Sequence, residues 1–147
     1  MKKILILIIA ALSLCACDPS IVISEFRSLP LSGWDKDSLL TFTYEIEDTL
    51  SSYDIILYLR HTNSYPYQNI WLFVEDEGKD TIEFYLADQR GRWLGNGYSD
   101  VCEMPVLYKQ ERRYDHAGQY DFLITHGMRD EILTGVSDVG IKIIKNE

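Results

Sequence analysis

From Ser38 onward, apolar residues recur at every second position, and that rhythm constrains the fold more than any other feature. Leu40, Phe42, Tyr44 and Ile46 alternate with Thr41, Thr43, Glu45 and Glu47. Successive side chains of a strand point to opposite faces, so a period of two gives one buried face and one wet face. The same pattern predicts a strand over Tyr53 to Arg60, with Ile55, Leu57 and Leu59 inward. It predicts another over Asp80 to Asp88, with Ile82, Phe84 and Leu86 inward. Further strands are expected at Ile70 to Glu75, Val101 to Tyr108, Gln119 to Thr125 and Val139 to Ile144. Asp76, Glu77 and Gly78 make a hairpin turn, Lys109 to His116 reads as a connection, and Gly127 to Thr134 as a short helical turn. Seven to eight short strands without a long helical period imply an all-β chain, a single antiparallel β-sandwich of possible jelly-roll type over 37–147.

Two strands break the alternation. Ile70-Trp71-Leu72-Phe73-Val74 is apolar on both faces, and Ile56 and Tyr58 make the outer face of the second strand partly apolar. Such strands are covered on both sides or face a partner. Burial within the domain is the expected explanation.

The N-terminus carries a different signal. Lys2 and Lys3 precede the apolar run Ile4 to Ala11, and Leu14-Cys15-Ala16-Cys17 follows. A basic start and a short apolar core describe a signal peptide, too short for a transmembrane helix. The small residue before Cys17 and the leucine at minus three make a bacterial lipobox. Residues 1–16 are therefore expected to be removed and Cys17 to carry the lipid, with 17–36 as a lipid-anchored tether whose end, at Trp34, is expected to dock on the fold. An acyl chain contributes about 0.8 kcal/mol per buried methylene, so multiple acylation, as by palmitate, anchors stably. No acidic run follows Cys17. Surface-exported lipoproteins of the phylum that the resemblance below points to often carry such a run, so its absence leans towards an anchor facing the periplasm, on the inner or the outer membrane.

Loss of Lys2 and Lys3 leaves 12 basic residues against 23 acids, a formal net charge of −11. Such a charge argues against nucleic acid and against an electrostatic grip on anionic lipid. With Cys15 removed and Cys17 acylated, Cys102 is the remaining thiol, and it is expected to be a small buried apolar residue.

The search for chemistry gives little. His61, His116 and His126 are isolated, without metal-ligand spacing, and read as surface or strand-end residues. Glu75, Asp76, Glu77 and Asp80 around Gly78 could bind calcium weakly, but read better as a solvated hairpin tip. No nucleophile elbow occurs, and carboxylate pairs such as Asp80 with Asp88 are supplied by any acidic sandwich. No catalytic residue, metal site or cofactor is assigned, and an enzyme is not expected. The conspicuous loop is Arg90-Gly91-Arg92-Trp93-Leu94-Gly95-Asn96-Gly97. Trp93 either caps the sandwich core, with glycines supplying positive-φ turns, or anchors a partner or a sugar ring, with Arg90 and Arg92 pairing carboxylates. Tyr65-Pro66-Tyr67 poses the same choice. Arg90, Arg92, Trp93, Tyr65 and Tyr67 are thus the candidate partner-binding residues.

Several stretches resemble one family. Arg60 to Phe73 (RHTNSYPYQNIWLF), Asp80 to Gly97 (DTIEFYLADQRGRWLGNG), Gly118 to Phe122 (GQYDF) and Met128 to Gly140 (MRDEILTGVSDVG) are similar to the gliding motility lipoprotein family GldH of Bacteroidetes, as are Trp34 to Leu39 and the lipobox. The resemblance covers nearly the whole mature chain. It implies a non-enzymatic cell-envelope lipoprotein needed for gliding, in bacteria where gliding is tied to type IX secretion of adhesins. It implies no cofactor and no established ligand site. The expected function is that of an accessory or assembly factor for gliding and type IX secretion components, with other envelope proteins as partners. An envelope glycan- or peptidoglycan-binding module with Trp93 as stacking platform is the alternative.

Overall fold

The computed structural model describes residues 18–147. The expected signal peptide and Cys17 lie outside the described residues. The strands in chain order are β1 (Ile21–Ser28), β2 (Trp34–Asp35), β3 (Leu40–Ile46), β4 (Tyr53–Thr62), β5 (Asn69–Asp76) and β6 (Gly78–Tyr85). They continue with β7 (Asn96–Tyr98), β8 (Val101–Arg112), β9 (Gly118–His126), β10 (Ile132–Leu133) and β11 (Val136–Lys145).

Two antiparallel sheets face each other, ordered β1-β11-β4-β8-β7 and β3-β9-β5-β6, and β2 pairs with β10 as a short ribbon. Counting only the eight long strands, the orders are first-eighth-third-sixth and second-seventh-fourth-fifth. That is the jelly roll, the sandwich in which the chain repeatedly crosses between sheets. The period-two residues face inward as expected: Phe42, Ile55, Ile70, Phe122, Ile124 and Ile143 are all fully buried. Each such side chain contributes roughly 1.5–3 kcal/mol by leaving water.

The topology sorts the connections by end. The β1–β3, β4–β5, β6–β8 and β9–β11 connections gather at one pole. The β3–β4, β5–β6 and β8–β9 connections gather at the other, together with Asp18 to Ser20 and Asn146. The first pole is closed by β2 and β10: Trp34 and Leu133 are fully buried there, and Trp34 Nε1 donates to Ser38 O at 3.1 Å.

Several expectations are corrected. The stretch 17–36 is not a tether beyond its first residues, because Ile21–Ser28 pairs along its length with β11 and buries Ile23. The outward residues of β1 share their face with Tyr58, which blurs the alternation: Phe26 lies 5.7 Å from Tyr58 and covers Gly140. Gly127 to Thr134 forms no helical turn; it holds β10, whose pairing with Trp34–Asp35 is a long-range contact that no local pattern announces. Lys109 to Arg112 continues β8 rather than leaving it. Trp71 and Phe73 are not buried within the domain but stay 39% and 50% exposed on the outer face of β5. Ile82 and Phe84 are only half-buried, because β6 is the edge of its sheet.

The hairpin tip also departs from a purely solvated one. Glu77 turns the chain with φ of 51°, and Asp76 is buried in an ion pair with Arg112, whose guanidinium sits 4.5 Å over the Tyr114 ring.

Candidate functional site

The candidate residues meet at the pole closed by β2 and β10. The β4–β5 connection supplies Asn63, Tyr65 and Tyr67, and the segment after β6 supplies Asp88 to Trp93. Their meeting follows from the jelly roll, in which both segments cross between sheets at this pole.

Asp88 organises its loop. Its Oδ1 accepts from the backbone N–H of Arg90 at 2.9 Å and of Arg92 at 3.0 Å, and its Oδ2 accepts from Arg92 Nε at 2.8 Å. These bonds, the Arg92 backbone bond foremost, hold the Asp88 carboxyl below the usual carboxylate range. Gly91 adopts φ of 78° in open space, and Gly95 adopts 81° where an added Cβ would stand 2.3 Å from Glu103 O. Only glycine fits a positive-φ position against another backbone. Arg92 is thus bonded within its own loop, and Arg90 is exposed.

Trp93 turns towards the core. Its ring lies edge-on to His61 with centroids 4.5 Å apart, and its Nε1 donates to Asn63 Oδ1 at 3.0 Å. A bridge between Ala87 and Trp93 holds the backbone. Tyr65 is buried and donates its hydroxyl to Asn69 O at 2.8 Å; burial pushes its pKa up. Its backbone presses on Gly135, whose φ of 86° leaves no room for a Cβ: Tyr65 Cα would be 2.5 Å away. Tyr67 is 38% exposed, edge-on to Tyr65 at 6.0 Å, and a hydrogen bond to Asp130 raises its pKa.

Of the five candidates, Trp93 and Tyr65 therefore pack as structure, Arg92 is bonded to Asp88, and Tyr67 and Arg90 face solvent. A hollow of about 270 Å³ runs between Tyr67 and Trp93 over Pro66 and Gly91. A second, of about 330 Å³, lies on the other side of Tyr67, lined by Trp71, Met128 and Arg129. Sequence reasoning did not single out Met128 or Trp71 for this site. The two-faced apolar run of β5 was the available signal for Trp71.

His61 and His126 lie at strand ends but are buried, whereas His116 is exposed in the β8–β9 connection. His126 Nε2 bonds Trp34 O at 3.0 Å, and its ring stands edge-on to Trp34 at 5.3 Å. Burial lowers the pKa of both histidines. Cys102 is buried as expected, its Sγ 2.9 Å from Leu94 O, and burial raises its pKa. Among the described residues no group of three His, Cys, Asp or Glu is placed to hold a metal ion.

The chain matches the family described as GldH lipoprotein over residues 21–143. It is 34% identical over 151 residues to the gliding motility lipoprotein GldH of Flavobacterium johnsoniae, covering 94% of this chain and 93% of that one. It is 32% identical over 158 residues to a gliding motility lipoprotein GldH homolog of Christiangramia forsetii, covering 99% of this chain and 96% of that one. The matched span opens on the first strand of the jelly roll and ends within its last, so the likeness embraces the whole fold. This chain belongs to the GldH lipoprotein family.

Proposed function

We propose that this protein is a non-enzymatic lipoprotein of the cell envelope that acts as an accessory or assembly factor for gliding motility and type IX secretion components. The observation that carries the reading is the near full-length likeness to relatives named gliding motility lipoproteins. Acylated Cys17 is its anchor, and the domain faces the periplasm. The polar groups of the conspicuous loop are taken up structurally: Asp88 is bonded to Arg92, and the Trp93 indole to Asn63. What remains free for a partner is the rim carrying Tyr67 and Arg90. Deletion in a gliding host tests the proposal. Colony spreading and surface-adhesin export should both fall, and normal levels of both would refute it.

A second reading has one observation in its favour. Trp71 and Tyr67 stand exposed beside the hollow that holds Arg129, an arrangement suited to stacking a sugar ring. Trp71, rather than the half-buried Trp93, is the tryptophan available for it. Titration with peptidoglycan fragments, followed by tryptophan fluorescence, separates the two. A saturable shift abolished by Trp71→Ala supports the glycan module, and no shift supports the protein partner.

A further inference from the structure

The residue that follows Cys17 already belongs to the fold. Asp18 O accepts from Ile21 N at 3.1 Å, and the Asp18 carboxylate accepts from Ser20 N at 3.0 Å and Ser20 Oγ at 2.7 Å. Ser20 O in turn accepts from Lys145 N at 2.7 Å. A flexible linker spans roughly 5–6 Å times the square root of its length, so a tether of many residues would let a domain tumble above its membrane. Among the described residues, the chain is bonded into the fold from Asp18 onward.

The pole at that end has an apolar point. Leu50, in the β3–β4 connection, is 87% exposed. Its loop is held stiffly, with Leu50 N donating to Asp48 Oδ1 at 2.8 Å, Lys145 Nζ pairing with Asp48 Oδ2 at 2.8 Å and Arg113 Nη1 donating to Leu50 O at 3.2 Å. Lys145 thus ties the Leu50 loop to the Asp18–Ser20 turn. Exposed Glu47, Asp115 and Glu147 lie at this pole too. Acids outnumber Lys145 and Arg113 among these groups, which gives no electrostatic attraction to anionic headgroups, so contact depends on the acyl chain and on Leu50.

Taking the acylated Cys17 of the proposed function as given, we propose that this pole is a membrane-contact surface. The anchor seats the Asp18–Ser20 turn and the Leu50 loop on the lipid surface. The strands then rise away from the bilayer, and Tyr67 and Arg90 are displayed about one strand length from it. For the ten residues of β4 that is roughly 30 Å.

Fluorescence quenching in vesicles tests the arrangement. The mature acylated chain, carrying Cys102→Ala and a fluorophore at either Leu50→Cys or Leu31→Cys, is reconstituted in phosphatidylcholine vesicles containing a headgroup nitroxide lipid. Leu31 is fully exposed and lies at the opposite pole. Most of the fluorescence at position 50 should be lost and none at position 31, independent of salt. A Gly/Ser insert of about 20 residues after Cys17, spanning roughly 25 Å, should restore the signal at position 50. Equal quenching at both positions, or quenching at 50 that the insert leaves unchanged, overturns the proposal. Mass measurement of the N-terminal peptide keeps the two readings apart. Equal quenching with the acyl mass present overturns the orientation alone, whereas an unmodified Cys17 removes the anchor and the orientation with it.

Discussion

Trp93 and His61 meet edge to face, ring centroids 4.5 Å apart, where the β6–β8 connection folds back over the end of β4. The contact decides what the glycine-rich loop does. Its tryptophan is a plug that covers a buried histidine, and Tyr67 and Arg90 stand exposed on the rim around it.

If Trp93 is a plug, removing it costs stability. Trp93→Ala should destabilise by about 2 kcal/mol, below the 3–5 kcal/mol of a fully buried tryptophan, because the ring is only half-buried. Trp93→Phe should recover part of the loss by restoring the edge contact. Urea unfolding of both variants gives the answer. Wild-type stability in Trp93→Ala would mean that the ring contributes nothing to the fold.

The two buried histidines set the acid limb of stability. Burial lowers both from their ordinary value of 6.5. A folded-state pKa below the unfolded one means that the unfolded chain binds more protons in the interval between them. Stability should be full above pH 6.5 and decline as pH falls from 6.5 towards the folded values. Urea midpoints at about pH 7.5 and about pH 5 measure the decline, and His61→Gln with His126→Gln should flatten it.

Asp76 and Arg112 form an ion pair inside the sandwich, with side-chain exposures of 1% and 12%. Removing one partner strands the other. Asp76→Ala should cost about 3 kcal/mol, near the lower end for such a loss because Glu77 still reaches Arg112. Replacing both, as Asp76→Ala with Arg112→Met, should recover much of it. A double variant less stable than Asp76→Ala would contradict the account.

Two glycines separate backbone strain from collision. Gly91→Ala meets open space at positive φ and should cost only about 1–2 kcal/mol. Gly135→Ala would set its Cβ 2.5 Å from Tyr65 Cα and should cost clearly more, since two backbones must separate. Thermal melting of the pair should rank them in that order.

The strand pattern was legible where one face was wet and the other dry. Leu40 to Ile46 and Tyr53 to Leu59 announce themselves because polar and apolar residues alternate and each strand touches its core locally. Ile21–Ser28 does not, because Phe26 lies outward over Gly140, a contact made only once the chain has returned as β11. β2 and β10 were equally hidden, being two residues each and stabilised by one another across the chain. At the site, sequence showed which loops were unusual but not that they share a pole, since that depends on crossings between sheets. The burial of His61 and His126 was hidden for the same reason: the Trp93 and Trp34 rings that cover them come from other connections.

In the function proposed above, this envelope lipoprotein offers its Tyr67 rim to a protein partner. Site-specific photocrosslinking in intact gliding cells tests it most directly, with a benzophenone side chain at Tyr67 and, for comparison, at Leu107 on the outer face of β8. Tyr67 should yield a discrete adduct containing a gliding or type IX secretion envelope protein, and Leu107 should not. No adduct from Tyr67, or the same adducts from both positions, would contradict the claim.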